Sequence, residues 1–243
     1  MSTSLLDLNK DENGYNQVFR QSPALIVRSE NRCRKMIRAA GISSQDRVLE
    51  IGCGTGEYAR KIHELAGATV TGVDLSPKFI ELASRQATSE KLSFHVGDVL
   101  RLPFSDGIFD VVCGNGIIHH IPEKKELFEE IQRVLAKDGR IVFLEPNLTN
   151  PLVFLIYKTR LRKFVDFDPL EMAFTGRTVD TWLKKFGLRQ RRITPVDFVL
   201  PNTPAKLVSL NLWLSNLLER IPWVRGISQS LLIFARKREG GVV

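Results

Sequence analysis

The sequence predicts an α/β fold on a doubly wound, mostly parallel sheet, and three observations predict it. From residue 47 to residue 146, short apolar runs alternate with amphipathic stretches of helix length. The first apolar run ends in the turn Gly52-Cys53-Gly54-Thr55-Gly56. The next two end at Asp74 and at Gly97-Asp98. Sheets of this kind collect their ligands beyond the C-terminal ends of the strands.

Each element has its own justification. Pro23–Ala40 reads as a helix with Leu25, Ile26, Cys33, Met36 and Ile37 as its apolar positions, stopped by Gly41. Arg47–Ile51 is a short apolar strand and Glu57–Ala66 a helix; Thr69–Asp74 is the second strand. Ser76 and Pro77 suit the N-cap and first position of a helix expected to run to about Thr88. Leu92–Val96 and Phe109–Gly114 are strands. A helix over Lys124–Leu135 is expected to close at Lys137-Asp138-Gly139, before a strand at Arg140–Leu144. The alternation breaks after Pro146. Beyond it, Thr178–Phe186 reads as a helix, Leu188–Phe198 as a strand region and Ser230–Ala235 as a last strand. Leu207, Leu210, Leu214, Leu217, Leu218 and Ile221 share one face of a helix, which Val208, Leu212 and Trp213 widen.

Composition narrows the class. With 243 residues, 43% hydrophobic and 26% charged, the chain can build a core of ordinary size. The longest apolar run, Leu152–Tyr157, is far shorter than a membrane-spanning helix. Met1–Lys10 has no basic start followed by an apolar core, so no secretory signal is expected. Three cysteines, Cys33, Cys53 and Cys113, lack metal-ligand spacing and cannot all pair, which points to a reducing, cytoplasmic setting with no zinc site. The net charge of +8 is unevenly spread. Residues 1–146 carry 19 Lys+Arg against 20 Asp+Glu, whereas residues 147–243 carry 16 against 7.

The glycine turn has the spacing G-x-G-x-G. Glu57 stands where a dinucleotide-binding turn would place a third glycine, and no P-loop lysine follows. This opposes a nicotinamide oxidoreductase. A carboxylate at Asp74 can accept from both hydroxyls of a ribose, and one at Asp98 from an adenine amino group.

In order and spacing, these signals resemble the class I S-adenosylmethionine (SAM)-dependent methyltransferases of the small-molecule group. The resemblance covers about residues 45–147. It continues through Phe109-Asp110-Val111-Val112, Asn115-Gly116-Ile117-Ile118-His119-His120-Ile121 and Leu135-Ala136-Lys137-Asp138-Gly139-Arg140. It implies a seven-stranded sheet with the last strand antiparallel, in a single domain. Residues 1–44 would then be an N-terminal helical cap, 45–147 the SAM-binding core, 148–176 a helical lid and acceptor insertion, and 177–243 the remainder of the sheet.

It further implies that Glu50, Gly52 and Gly54 hold the methionine part of SAM, with Cys53 a packing residue of that turn. Asp74 would take the ribose and Leu75 would pack on adenine. Asp98 and the Val99 backbone would read the adenine edge, and Asn115 and Gly116 would line the methionine end. Tyr15 would close over the cofactor. S-adenosylhomocysteine would be the product, and no metal is expected.

The sulfonium already activates the methyl group, so the protein must align the acceptor, exclude water and remove a proton. His119 and His120 follow the fourth strand, where the methyl group would sit. An imidazole titrates near neutral pH and suits a general base. Alternatively, one ring ties a loop; as chain neighbours they point apart, so only one can serve. Glu145, in Leu144-Glu145-Pro146-Asn147, is a base, an acceptor anchor or part of a Pro146-stabilised turn. His63 and His95 lie away from the strand ends and read as structural.

The acceptor side is apolar then basic: Pro151–Tyr157, followed by Lys158, Arg160, Arg162 and Lys163. This fits a small or lipid-like acceptor. Together with the helix at 207–221, it fits either a lid or dimer contact with a solvated basic rim, which is the expectation, or a surface touching anionic lipid. No Asn-Pro-Pro-Tyr-type segment follows the fourth strand, and the basic residues are not interleaved with aromatics, which argues against a nucleic-acid substrate. O-methylation is the expected reaction. A methyltransferase fold with another or no catalytic role, and N- or C-methylation, stay open. Monomer and homodimer are both compatible with the sequence.

Overall fold

The computed structural model describes residues 22–158, 173–200 and 203–237. Tyr15 and residues 159–172, about half of the expected lid with its Arg160, Arg162 and Lys163, lie outside the described residues. Helix α1 is Pro23–Ala40, followed by β1 (Arg47–Ile51), α2 (Glu57–Ala66), β2 (Thr69–Asp74), α3 (Pro77–Arg85), β3 (Leu92–Val96) and β4 (Phe109–Asn115). Then come α4 (Lys124–Val134), β5 (Leu135–Pro146), α5 (Pro151–Lys158), α6 (Gly176–Lys185), β6 (Arg189–Val196), α7 (Val208–Leu218), the one-turn α8 (Pro222–Arg225) and β7 (Ser230–Arg236).

The strands form one seven-stranded sheet in the order β3-β2-β1-β4-β5-β7-β6. β1 pairs in parallel with both β2 and β4; β2–β3 and β4–β5 are also parallel. β7 inserts antiparallel between β5 and β6, as expected for the last strand. Strand order reverses at β1, so the loops after β1 and β4 diverge to opposite sides and open a crevice between them.

Alternation along the central strands builds two cores. Val48, Val142 and Leu144 face the side covered by Cys33 and Met36 of α1 and Ala59 and Ile62 of α2. Leu49, Ile141 and Phe143 face the side covered by Leu127, Phe128 and Ile131 of α4 and Val179 and Leu183 of α6. Cys33, Cys53 and Cys113 are free and buried.

Local signals set most boundaries. Gly41 ends α1 in the left-handed conformation at φ 62°. Ser76 Oγ accepts from Phe79 N–H at 3.3 Å, and Pro77 begins α3. Three boundaries differ from the sequence reading. α3 stops at Arg85 rather than about Thr88, where Gln86 closes it. α6 starts at Gly176, because Thr175 caps it by accepting from Thr178 N–H at 3.2 Å. The turn at Lys137-Asp138-Gly139 does not separate α4 from its strand. Leu135 already pairs with Phe109, pairing resumes at Arg140 with Val111, and Asp138 takes φ 61° in the bulge between them.

The helix at 207–221 packs differently from a core helix. Its leucine-rich face is exposed, and Val208 and Ser215 are its buried residues.

The α4 contact offers a direct test of the core. Phe128 is fully buried and stacks on Phe186 with ring centroids 4.9 Å apart. Phe128→Ala should cost about 3–5 kcal/mol of unfolding free energy. Urea unfolding should show a lowered midpoint at unchanged slope; a cost below about 1 kcal/mol would show that α4 is not part of this core.

Candidate active site

The crevice is built from the ends of β1, β2, β4 and β5. Gly52, Gly54 and Gly56 all adopt left-handed backbone, with φ of 64°, 52° and 76°. That conformation folds the chain back at the end of β1 and delivers it to the first turn of α2. Asp74, at the end of β2, holds the turn in place. Gly54 N–H donates to its Oδ2 at 2.8 Å, and Ser76 N–H to its Oδ1 at 2.9 Å. A carboxylate oxygen accepts more than one bond, so each keeps capacity for a ligand hydroxyl. Burial pushes the Asp74 carboxyl up, against the backbone donors that lower it. Leu75, the next residue, is exposed beside this site.

The residues present fit the cofactor that the resemblance implies. A Cβ placed on Gly54 would meet nothing within 4 Å, so the turn offers open backbone on the ligand side. Glu50 is buried, and its Oε2 lacks a hydrogen-bond partner among the described residues. Burial raises its pKa to about 8, with Asp74 adding to the rise. An ammonium group arriving there would supply what Oε2 lacks. Cys53 is buried and lies against Gly72, and burial raises its thiol pKa, which makes it a packing group rather than a nucleophile. Asp98 is exposed and accepts Leu100 N–H at 2.9 Å, while Val99 is buried beneath it.

On the other side of the crevice, Gly116 turns at φ 67° after β4, and its N–H donates to Leu144 O at 2.8 Å. The following turn, Ile118–His120, is organised by Glu145 of β5. The N–H groups of Ile117, Ile118 and His119 donate to the Glu145 carboxylate at 3.1, 2.8 and 3.3 Å. His119 Nδ1 lies 2.8 Å from Glu145 Oε2. A carboxylate only accepts, so Nδ1 donates, and in the neutral tautomer Nε2 is the acceptor. A Cβ on Gly116 would meet His119 Cε1 at 3.4 Å, so the ring flanks the loop at the end of β4.

Glu145 stands behind His119, with its side chain fully buried and its oxygens occupied by four donors. That differs from the reading of Glu145 as a base or acceptor anchor. The two rings do not point apart as expected: in the one-turn 3-10 helix Ile118–His120, His120 stacks obliquely on His119 with ring centroids 4.0 Å apart and is the more exposed of the two. Asn147 does not enter the crevice; it donates to Gly226 O and Ser228 O. His63 bonds Ala68 O and His95 packs edge-on against Phe104, both structural.

Two groups escaped the sequence reading. Arg32 of α1 crosses the crevice wall, where its Nη1 donates to Asn115 Oδ1 at 3.2 Å and its Nε to Asp197 Oδ2 at 2.7 Å. Arg28 Nε reaches the same oxygen at 2.6 Å. Burial would raise the Asp197 pKa, but the two guanidiniums hold it down to about 2. The i,i+4 spacing of Arg28 and Arg32 was the available signal; their partner Asp197 lies 165 residues beyond Arg32 and gives none. Lys124 lies over the Phe174 and Trp182 rings, and burial lowers its pKa to about 8, against Glu145 and Glu123. Among the described residues, no cluster of His, Cys, Asp and Glu could hold a metal, and no helix is long and apolar enough to cross a membrane.

Comparison with known proteins agrees with this geometry: residues 49–143 match the family described as Methyltransferase domain. Residues 49–143 therefore carry a methyltransferase domain. Over 118 residues, the chain is 35% identical to tocopherol O-methyltransferase, chloroplastic, of Arabidopsis thaliana, covering 44% of this chain and 34% of that protein. Over 139 residues it is 34% identical to demethylmenaquinone methyltransferase of Thermus thermophilus, covering 54% and 63%. A solved SAM-dependent methyltransferase from Archaeoglobus fulgidus shares the fold at TM-score 0.62 and 21% identity, covering 91% of this chain and 97% of that one. The chain spans between about a quarter and two thirds of the length of the curated relatives it matches.

Two tests follow for the methyltransferase domain. Asp74→Ala should weaken SAM binding about tenfold or more, and Asp74→Asn by less, because Asn keeps one acceptor for the turn. Unchanged calorimetric affinity in the Ala variant would remove Asp74 from the site. Glu50 titrates at about 8 in the fold against 4.5 normally, so the folded state holds its proton more tightly. Its contribution to stability is complete below pH 4.5 and disappears as pH rises through 8. Glu50→Gln should therefore flatten the fall in stability across that window, measured by urea unfolding at its two ends. An unchanged fall would place the titration elsewhere.

Proposed function

We propose that the protein transfers the methyl group of SAM to a hydroxyl of a small, lipid-like acceptor, with His119 as general base. One observation carries the reading: His119 Nδ1 sits against buried Glu145, which leaves Nε2 as the free base of a fixed ring beside Gly116. The similarity to the tocopherol and demethylmenaquinone enzymes supports the acceptor class, and the apolar-then-basic run after β5 fits it.

Bound SAM supplies a methyl group already activated by its sulfonium. The chain's residues do the remainder. The Gly52–Gly56 turn and Glu50 would seat the methionine part, Asp74 the ribose, and Leu75, Asp98 and Val99 the adenine. Asn115, fixed by Arg32, and Gly116 would border the methyl-transfer end. His119 Nε2 takes the acceptor's hydroxyl proton as its oxygen bonds to the methyl carbon. Glu145 stabilises the resulting imidazolium and fixes the ring's orientation, which makes it a positioning residue. Tyr15 would close over the cofactor, and His120 and the lid would border the acceptor. The lipid-like character of that acceptor extends to where it is met, at a membrane surface.

His119→Ala should lower kcat by about 10²–10⁴-fold while leaving SAM affinity intact. Glu145→Gln should lower kcat more than it raises the acceptor KM. Near-normal turnover in His119→Ala would remove the base. SAM binding without turnover over a panel of prenylated phenols and quinols would favour a non-catalytic role for the fold.

A further inference from the structure

Helix α7 is built inside out. A surface helix ordinarily buries its apolar stripe and exposes its polar one. In α7 the stripe facing the domain is Val208, Asn211, Leu212, Ser215 and, just past its end, Glu219. Ser215 is 1% exposed and accepts Phe198 N–H at 2.9 Å. Glu219 accepts Asp197 N–H at 2.8 Å and pairs with Lys35 of α1. The opposite stripe, Leu207, Leu210, Trp213, Leu214 and Leu217, is exposed, Trp213 by 59%. One turn further, Trp223 of α8 is 84% exposed. The surface extends to α5, because its capping residue Asn150 donates to Ile227 O just after α8, and Leu152 and Phe154 are exposed.

Among the described residues of this stretch, the charge not paired within the fold has one sign. Between residues 198 and 227 the charged residues are Lys206, Glu219, Arg220 and Arg225. Glu219 is neutralised by Lys35, so the remaining charges beside the leucine stripe are cationic. Lys158 at the end of α5 adds another. A symmetric contact between two copies would gather the Lys206 and Arg220 side chains of both around one apolar centre. Apolar area ringed by cations, with tryptophans at its edge, matches the headgroup boundary of an anionic bilayer.

We propose that the outward face of α7 and α8 docks the protein on an anionic lipid bilayer. The face also has a route to the reaction site: Glu219 holds the Asp197 backbone, Asp197 holds Arg32, and Arg32 holds Asn115. Docking there is linked through these contacts to the Asn115 wall of the crevice. The proposal rests on the lipid-like reading of the acceptor for its purpose, but not for its physical basis.

The test is flotation of the full chain with phosphatidylcholine vesicles, with and without phosphatidylserine, at low and high salt. The protein should float with the serine-containing vesicles and release as salt rises. Leu210→Ser, Trp213→Ser and Leu217→Ser together should weaken binding about tenfold or more, and Lys206→Glu with Arg220→Glu should abolish the preference for anionic lipid. Calorimetric SAM affinity, unchanged in both variants, shows that they are folded. No flotation of the wild type, or flotation unaffected by the triple substitution, overturns the proposal. So does a wild-type dimer in sedimentation velocity that the triple substitution makes monomeric. Because binding is read without turnover, a failure of the methyl-transfer reading leaves this result standing, and the reverse holds.

Discussion

The parallel pairing of β1 with β2 on one side and β4 on the other is the constraint on which the site depends. It brings the C-terminal ends of three strands to one sheet edge within neighbouring-strand distance. It also leaves the backbone of each departing loop without ladder partners just where a ligand needs them. Two carboxylates, at the ends of β2 and of β5 on either side of β1 and β4, meet that need. Asp74 accepts Gly54 and Ser76 N–H groups, and Glu145 accepts three N–H groups of the loop after β4. A one-residue slip of β2 against β1 would turn Asp74 to the opposite face, and one of β5 against β4 would do the same to Glu145, each releasing its own loop.

The two carboxylates differ in what they leave over. Asp74 spends one bond per oxygen on the turn and retains accepting capacity toward the crevice. Glu145 is filled by its own loop and ring, so its influence reaches the crevice only through His119. Glu50 is a third case, since its Oε2 meets no donor among the described residues and its proton is held up to about pH 8. A buried carboxyl oxygen without a donor costs stability unless a ligand completes it. The fold keeps this cost at the place where the resemblance puts the methionine end of SAM, which couples cofactor binding to the stability of the sheet.

Much of this was legible in the sequence because it is local. The glycine spacing, the Ser76–Pro77 cap and Asp74 at a strand end each act within a few residues of their partners. Glu145 was readable as a strand-end carboxylate, but not as the anchor of a loop 26–28 residues earlier. The bulge at Asp138 was read as a separating turn because Lys-Asp-Gly has turn chemistry; only pairing with β4 makes it part of a strand. The Arg28, Arg32 and Asp197 cluster was invisible for the same reason, since its members are joined by β7 entering between β5 and β6.

Helix α7 shows where pattern reading misleads. Its leucines recur at helical spacing, and that period locates the helix correctly. The period says nothing about which side the rest of the protein lies on. That is decided by Ser215 and Glu219, which satisfy the backbone N–H groups of Phe198 and Asp197 where the chain leaves β6. Leaving those donors buried and unpaired would cost more than exposing leucine to a surface that can cover it. The basic excess of residues 147–243 then ceases to be a bulk property. Part of it, Arg191 with Asp180 and Arg192 over Phe234, is consumed inside the fold. What stays free beside α7 is the part that can meet another surface, and its sign and its apolar neighbours together select which surface that is.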